Sequence, residues 1–139
     1  STVRDTNAEL GADAKLVLTE KLLTHGNQTA ISNMKVELKG EGSSVQVISR
    51  SVAQDDSVQV FNPLVIGECA CRGHVQCDAI IMGNAKVKAI PGIEAASEDA
   101  MLVHEAAIGK IAGEQLLKLE TLGLSPEEAE ECILKGFLA

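Results

Sequence analysis

The chain has 139 residues, 45% of them hydrophobic and 23% charged, with a formal net charge of -8. A chain of this length makes one domain that buries roughly two-thirds of the surface its unfolded form exposes, and its acidic balance argues against a nucleic-acid partner, which needs clustered Lys and Arg. No apolar run approaches the ~18 residues of a membrane span and the polar start has no signal-peptide character, so no membrane is expected and the cytoplasm is the predicted location. Trp and Tyr are absent and only Phe61 and Phe137 are aromatic, so the core has to be aliphatic. The four cysteines, Cys69, Cys71, Cys77 and Cys132, are read as reduced thiols, because a chain with an ample core needs no disulfide framework.

The first 110 residues read as short β segments punctuated by turn signals: HGNQ from His25, KGEGSS from Lys39, AQDDS from Ala53, GECACRG from Gly67, MGNA from Met82 and ASED from Ala96. From Ser43 on, successive segments begin about 13 residues apart, which suggests repeated structure. Two segments per coil would place residues about 27 apart on neighbouring rungs, and the columns Ile48, Val75, Leu102 and Val52, Ala79, Ala106 are then apolar, as are Val60 and Val87. The odd column is Arg50, Cys77, His104, which would share their strand face because side chains alternate with period two. Mixed alternation and apolar runs favour buried parallel strands over a β-sandwich with hairpins. The coiled part is set at about residues 14–109.

Helical periodicity takes over at about 111–137. Leu116, Leu119 and Leu122 recur at helical spacing, and Gly123 suits a left-handed stop. SPEE then supplies Ser125 as N-cap, Pro126 at the first helical position and Glu128 as the capping-box acid, with Ala129, Ile133 and Phe137 on one face. The resulting hairpin can cap the coil or dock a partner. Cys132 on this helix is assigned to the core.

The residues with chemistry are few. VHEAAIGK sets His104 beside Glu105, but a zinc-protease HExxH helix needs a second histidine where Ile108 stands, so that reading fails. Cys77 can ligate iron or carry sulfur as a thiolate, or serve as a small buried hydrophobe. His104 can offer a neutral ring nitrogen to a metal, or be a hydrogen-bonded core residue. Glu105 can add an oxygen ligand or orient the ring, provided the strand ends there as Gly109 hints; otherwise it is a solvated edge. Arg50, one coil from Cys77, would favour the thiolate. Cys69, Cys71 and His74 make a weaker local cluster for iron or zinc, with a spacing that matches no strong metal pattern. No GxxxxGK[ST] loop is present, so the chain hydrolyses no ATP of its own. The lack of sugar-stacking Trp and Tyr argues against a carbohydrate-acting enzyme.

GHVQCDAIIMG, IPGIE, VHEAAIGKI and EQLLKLETLGLSPEEAEECILKGFL resemble, in that order, the C-terminal core of the SufB/SufD family of iron-sulfur cluster assembly proteins, from about Val36 to Ala139. The resemblance implies one core domain over residues 1–139: a right-handed parallel β-helix followed by helices. It implies that the helical end docks an ABC-type ATPase, SufC, and that two such subunits pair through their β-helices as a homodimer or a mixed dimer. Cys77 matches the SufB cysteine implicated in cluster assembly, Glu105 its partner glutamate, and His104 the histidine that SufD supplies from the facing subunit. The glutamate makes the chain look more like SufB than SufD. A non-enzymatic scaffold or scaffold partner holding a transient iron-sulfur cluster on Cys77, His104 and Glu105 is therefore expected; a metal-free module that recruits the ATPase is the alternative. Flavin could join the same chemistry, although no residue pattern marks a site for it. The chain departs from the family where an aromatic pair usually follows EQL: Leu117, Lys118 and Leu119 stand there.

Overall fold

Short turns with stacked left-handed residues set the geometry. Gly26 (φ 57°), Asp55 (φ 59°) and Gly83 (φ 64°) occupy equivalent positions in successive turns at one corner of the molecule. Asp55 tolerates this conformation partly because its side chain works locally: the Gly26 N–H donates to its carboxylate at 2.8 Å. The backbone runs on in the same direction, with the Asp56 N–H donating to the Gly26 carbonyl and the Asn84 N–H to the Asp55 carbonyl.

A computed structural model of the chain describes residues 1–111 and 113–139. Its strands are β1 (Thr2–Leu10), β2 (Lys15–Thr24), β3 (Thr29–Leu38), β4 (Ser44–Ala53), β5 (Val58–Gly67), β6 (Cys71–Ile81), β7 (Lys86–Ala89), β8 (Gly92–Ala95) and β9 (Ala100–Gly109), followed by helices α1 (Gly113–Thr121) and α2 (Pro126–Leu138). Odd strands up to β7 form one sheet in the order β1-β3-β5-β7, with β8 also on β5; the other sheet runs β2-β4-β6-β9. Each strand pairs in parallel with the next one in its own sheet. The architecture is a parallel β-solenoid with two C-terminal helices, as the sequence suggested. The stacking begins at Thr2, ahead of the expected start at 14, because β1 pairs with β3 along its whole length. Pro63 and Pro91 fall at matching positions, where neither can donate a ladder hydrogen bond; there the last odd strand breaks into β7 and β8.

The coil length differs from the expected 27. Val47 pairs with Val75, and Val75 with His104; Ser49 pairs with Cys77, and Cys77 with Ala106. The steps are thus 28 and 29 residues. A one-residue slip exchanges the two faces of a strand, whereas a two-residue slip preserves them. Arg50 therefore pairs with Asp78 on the outside, and Ser49 takes the place beside Cys77 that was assigned to Arg50. Ile48 meets Gln76, and Val60 meets Lys88, so the Ile48 and Val60 columns dissolve as well.

The interior divides lengthwise. One half is apolar, with Val36, Leu38, Val47, Val65 and Val75 each no more than 2% exposed. The other half is polar: Glu20, Thr24, Ser49, Ser51, Ser57 and Gln59 are all buried. Buried polar groups need partners. The Gln59 amide donates to Thr24 Oγ1 at 2.9 Å and to the Val52 carbonyl at 3.0 Å. Ser57 Oγ gives its proton to the Gln54 carbonyl at 2.6 Å, so the Thr24 hydroxyl is the donor in their 2.9 Å contact. Glu20 accepts from Ser32 Oγ at 2.8 Å and from the Arg4 guanidinium at 3.3 Å.

Helix α2 forms as its cap predicts. The Glu128 N–H donates to Ser125 Oγ at 3.1 Å and the Ser125 N–H to the Glu128 carboxylate at 3.2 Å. Gly123 (φ 99°) ends the preceding helix. Ala129 is fully buried, and α2 packs on the outer face of β4, where Val52 is fully buried too. The hairpin thus sits on the flank of the coil and does not cap its end. Cys132, assigned to the core, is exposed, because the buried stripe of α2 is the one through Ala129.

Gly40 has no room for a side chain: a Cβ there would fall on the backbone of Gly11 and Ala12 one coil away. Gly40→Ala is expected to lower the unfolding free energy by about 3 kcal/mol or more, since two backbones must separate, as read by urea denaturation.

Candidate functional site

The wall formed by β6 and β9 carries different chemistry on its two faces, because adjacent residues in a strand point opposite ways. Cys77 lies in mid-strand on the inward face and is 1% exposed. Burial, with the charges of Asp78 and Glu20, pushes its thiol up to about 11. His104, in mid-strand of β9, is also inward. Its partner is Val75 while that of Cys77 is Ala106, so the two are diagonal neighbours. Their Cα atoms lie roughly 8 Å apart, from a strand spacing of about 4.8 Å and a two-residue advance of about 6.6 Å.

The His104 ring is held neutral by its surroundings. Burial, and then the neighbouring His74, depress its pKa below the ordinary histidine value. Its Nε2 is buried and has no hydrogen-bond partner among the described residues. A buried nitrogen left unpaired is costly, and a neutral imidazole is the form that binds metal. Cys77 and His104 are thus a sulfur and a nitrogen donor on the same inward face of the wall.

Glu105 is not brought to them. Regular strand continues to Gly109, so Glu105 faces outward, where its carboxylate lies 3.3 Å from His74 Nε2. The weaker cluster does not converge either. Cys71 is inward at the start of β6, six positions and about 20 Å from Cys77 along the strand, and His74 is on the outer face. Cys69, in the turn before β6, packs beside Cys71 and directs its thiol to the Leu38 carbonyl at 3.6 Å. Among the described residues no group of three or more His, Cys, Asp or Glu is arranged to hold a metal ion.

The polar interior next to Cys77 escaped the sequence reading. A void of about 10 Å³, roughly one water, is bounded by Glu20, Ser32, Ser49, Ser51, Gln59 and Cys77. Its signal was present in the alternation of β2 and β4: Glu20, Ser49 and Ser51 fall on inward positions once the coil length is 28 to 29.

A family model described as "SUF system FeS cluster assembly, SufBD core domain" matches residues 1–137. An iron-sulfur cluster assembly SufBD family protein of Pyrococcus horikoshii is 38% identical over 106 residues, 75% of this chain and 24% of that one. A second such protein of the same organism is 35% identical over 133 residues, 94% of this chain and 40% of the relative. One of Methanocaldococcus jannaschii is 33% identical over 127 residues, 91% of this chain and 40% of the relative. The chain therefore spans between 24% and 40% of the length of these relatives.

Two outcomes follow from the burial of these groups. With its pKa near 11 against an ordinary 9.0, Cys77 is expected to alkylate about 100-fold more slowly at pH 8 than a free thiol of that ordinary value from thiolate population alone, with burial adding to this; peptide mapping after timed iodoacetamide labelling, with a small cysteine peptide as the reference, reads it. For His104 the folded pKa lies below the unfolded one, so the unfolded chain takes up the proton first as pH falls. Stability is complete above about pH 6.5 and is lost as pH falls through that value toward the folded pKa. The denaturation midpoint of the wild type should therefore drop more between pH 7.5 and 5.5 than that of His104→Leu.

Proposed function

Since the chain belongs to the SUF system FeS cluster assembly family through its SufBD core domain, we propose that it is a non-enzymatic scaffold, or the partner of a scaffold, on which an iron-sulfur cluster is built and released. The observation that carries this reading is the placement of Cys77 and the unpartnered Nε2 of His104 as diagonal neighbours on one inward face of the last coil. A thiolate and a neutral imidazole suit iron. Two donors are too few to retain a cluster permanently, which suits transfer and leaves positions for ligands from a second subunit.

The edge of the solenoid supports such a pairing. β9 ends its sheet, and Met101 and Val103 on it are 62% and 48% exposed. A second subunit, identical or a related SufB/SufD-type chain, would lie along this strand and bring its own donors to the junction. Glu105, held outside by His74, would serve from the outer face of that junction. Its position beside His104, in the SufB-like HEA motif, is the reason to keep it in the set.

Nucleotide hydrolysis falls to a partner, a SufC-like ABC ATPase. The α1–α2 hairpin is its docking surface: α1 buries none of its residues, and Leu117 and Leu122 are 61% and 75% exposed. No helix among the described residues is long and apolar enough to cross a membrane, in keeping with an assembly that works in the cytoplasm.

The high thiol pKa and the absence of a three-donor group among the described residues favour a second reading, a metal-free module that only recruits the ATPase. Anaerobic reconstitution with the ATPase, ferrous iron and sulfide separates the two. As a scaffold the wild type forms a cluster seen by absorption and Mössbauer spectroscopy, and Cys77→Ser or His104→Ala lowers the yield by about tenfold or more. Equal yields in both variants, with ATPase capture intact, would establish the docking module.

A further inference from the structure

A pair of sulfurs sits at the opposite end of β6 from Cys77. Cys69 and Cys71 are separated by one residue, and both pack against the same apolar core cluster. No side chain crowds them from the preceding corner: a Cβ on Gly67 would lie 2.9 Å from Cys71 Sγ. Cys71 is 4% exposed, whereas Cys69 is half-buried in the turn, so the pair reaches from the interior to the surface. Burial and the adjoining Cys71 thiol raise the Cys69 pKa.

One coil earlier stands an independent sign of a missing partner. Ser43 precedes Ser44 as Cys71 precedes Arg72, and Ser44 pairs with Arg72; the Arg72 N–H also donates to the Ser43 carbonyl at 3.0 Å. Ser43 therefore lies over Cys71 in the same inward column. It is 1% exposed, and its hydroxyl has no hydrogen-bond partner among the described residues. A hydroxyl donor next to a thiol gains a strong acceptor when that thiol becomes a thiolate.

We propose that Cys69 and Cys71 form a separate site for one soft monovalent cation, Cu(I), bound by two thiolates with the Ser43 hydroxyl donating to the Cys71 sulfur. Thiolates select such ions over hard ones. Among the described residues no group of three or more His, Cys, Asp or Glu is arranged to hold a metal ion, which favours an ion content with two ligands over zinc, which takes four. Binding replaces two thiol protons, which leave to solvent, and gives a bis-thiolate complex of charge -1 without electron transfer. Entry is from the open groove bounded by Ser43 and Cys71, whose rim carries Lys15 and Arg72 together with Asp13, Glu41 and Asp99, an acidic balance that attracts a cation. The site is independent of the assembly role, since it shares no residue with Cys77 and His104.

The test is an anaerobic titration of the whole chain with Cu(I) against a chromogenic Cu(I) chelator. One equivalent should be held by the wild type and by Cys77→Ser, with X-ray absorption giving two sulfur neighbours. Cys69→Ser, which leaves the buried thiol in place, should weaken retention by about a hundredfold, and Ser43→Ala should weaken it less, both with unchanged circular dichroism. Undiminished retention in Cys69→Ser, loss in Cys77→Ser alone, or no equivalent held by the wild type would overturn the proposal.

Discussion

Parallel pairing between strands one coil apart decides which side chains can meet. In a β-strand the two faces alternate at every residue, so the ladder fixes position along the strand and choice of compartment together. The pairing of Val75 with His104 places that histidine inside with Cys77 and leaves His74 and Glu105 on the opposite side of a wall one strand thick. Interior groups meet burial and depressed or raised pKa values; exterior groups meet solvent and whatever docks there. The chemistry of the site is a consequence of ladder phase before it is a consequence of residue type.

The polar half of the interior bears on how that phase is held. Glu20 is a buried carboxylate satisfied by Ser32 and Arg4; removing Arg4 would take away its cationic partner, and removing Ser32 its hydroxyl donor. The chain from Gln59 through Thr24 and Ser57 to the Gln54 carbonyl joins both sheets across the core. Aliphatic columns tolerate a shifted neighbour at modest loss, whereas a directional hydrogen-bond chain does not. We regard this half of the core as the part that enforces a single register.

Much of the architecture could be read without coordinates. Turn signals, strand repetition, the Ser125 cap and the Gly123 stop each rest on local backbone chemistry, which sequence carries directly. The coil length is not local. It is a sum over strands and turns, and turns of unequal length shifted it from 27 to 28 or 29, enough to put Arg50 outside and to hide Glu20, Ser49 and Ser51 as inward residues. Cys77 and His104 stay on one face, though not paired as expected, because the register error between them is two residues, an even number. Glu105 was assigned to the same site on the hint of a strand end at Gly109, and the strand runs through.

The two corners of the coil are not equivalent. At one, residues 25–28, 54–57 and 82–85 repeat a four-residue turn with its left-handed residue stacked each time; at the other, 11–14, 39–43, 68–70 and 96–99 vary in length. The first keeps time for the winding, and the second absorbs irregularity. Evolutionary insertion should accumulate at the irregular corner, where a loop of any size can leave the stack without disturbing the beat of the strands beneath it.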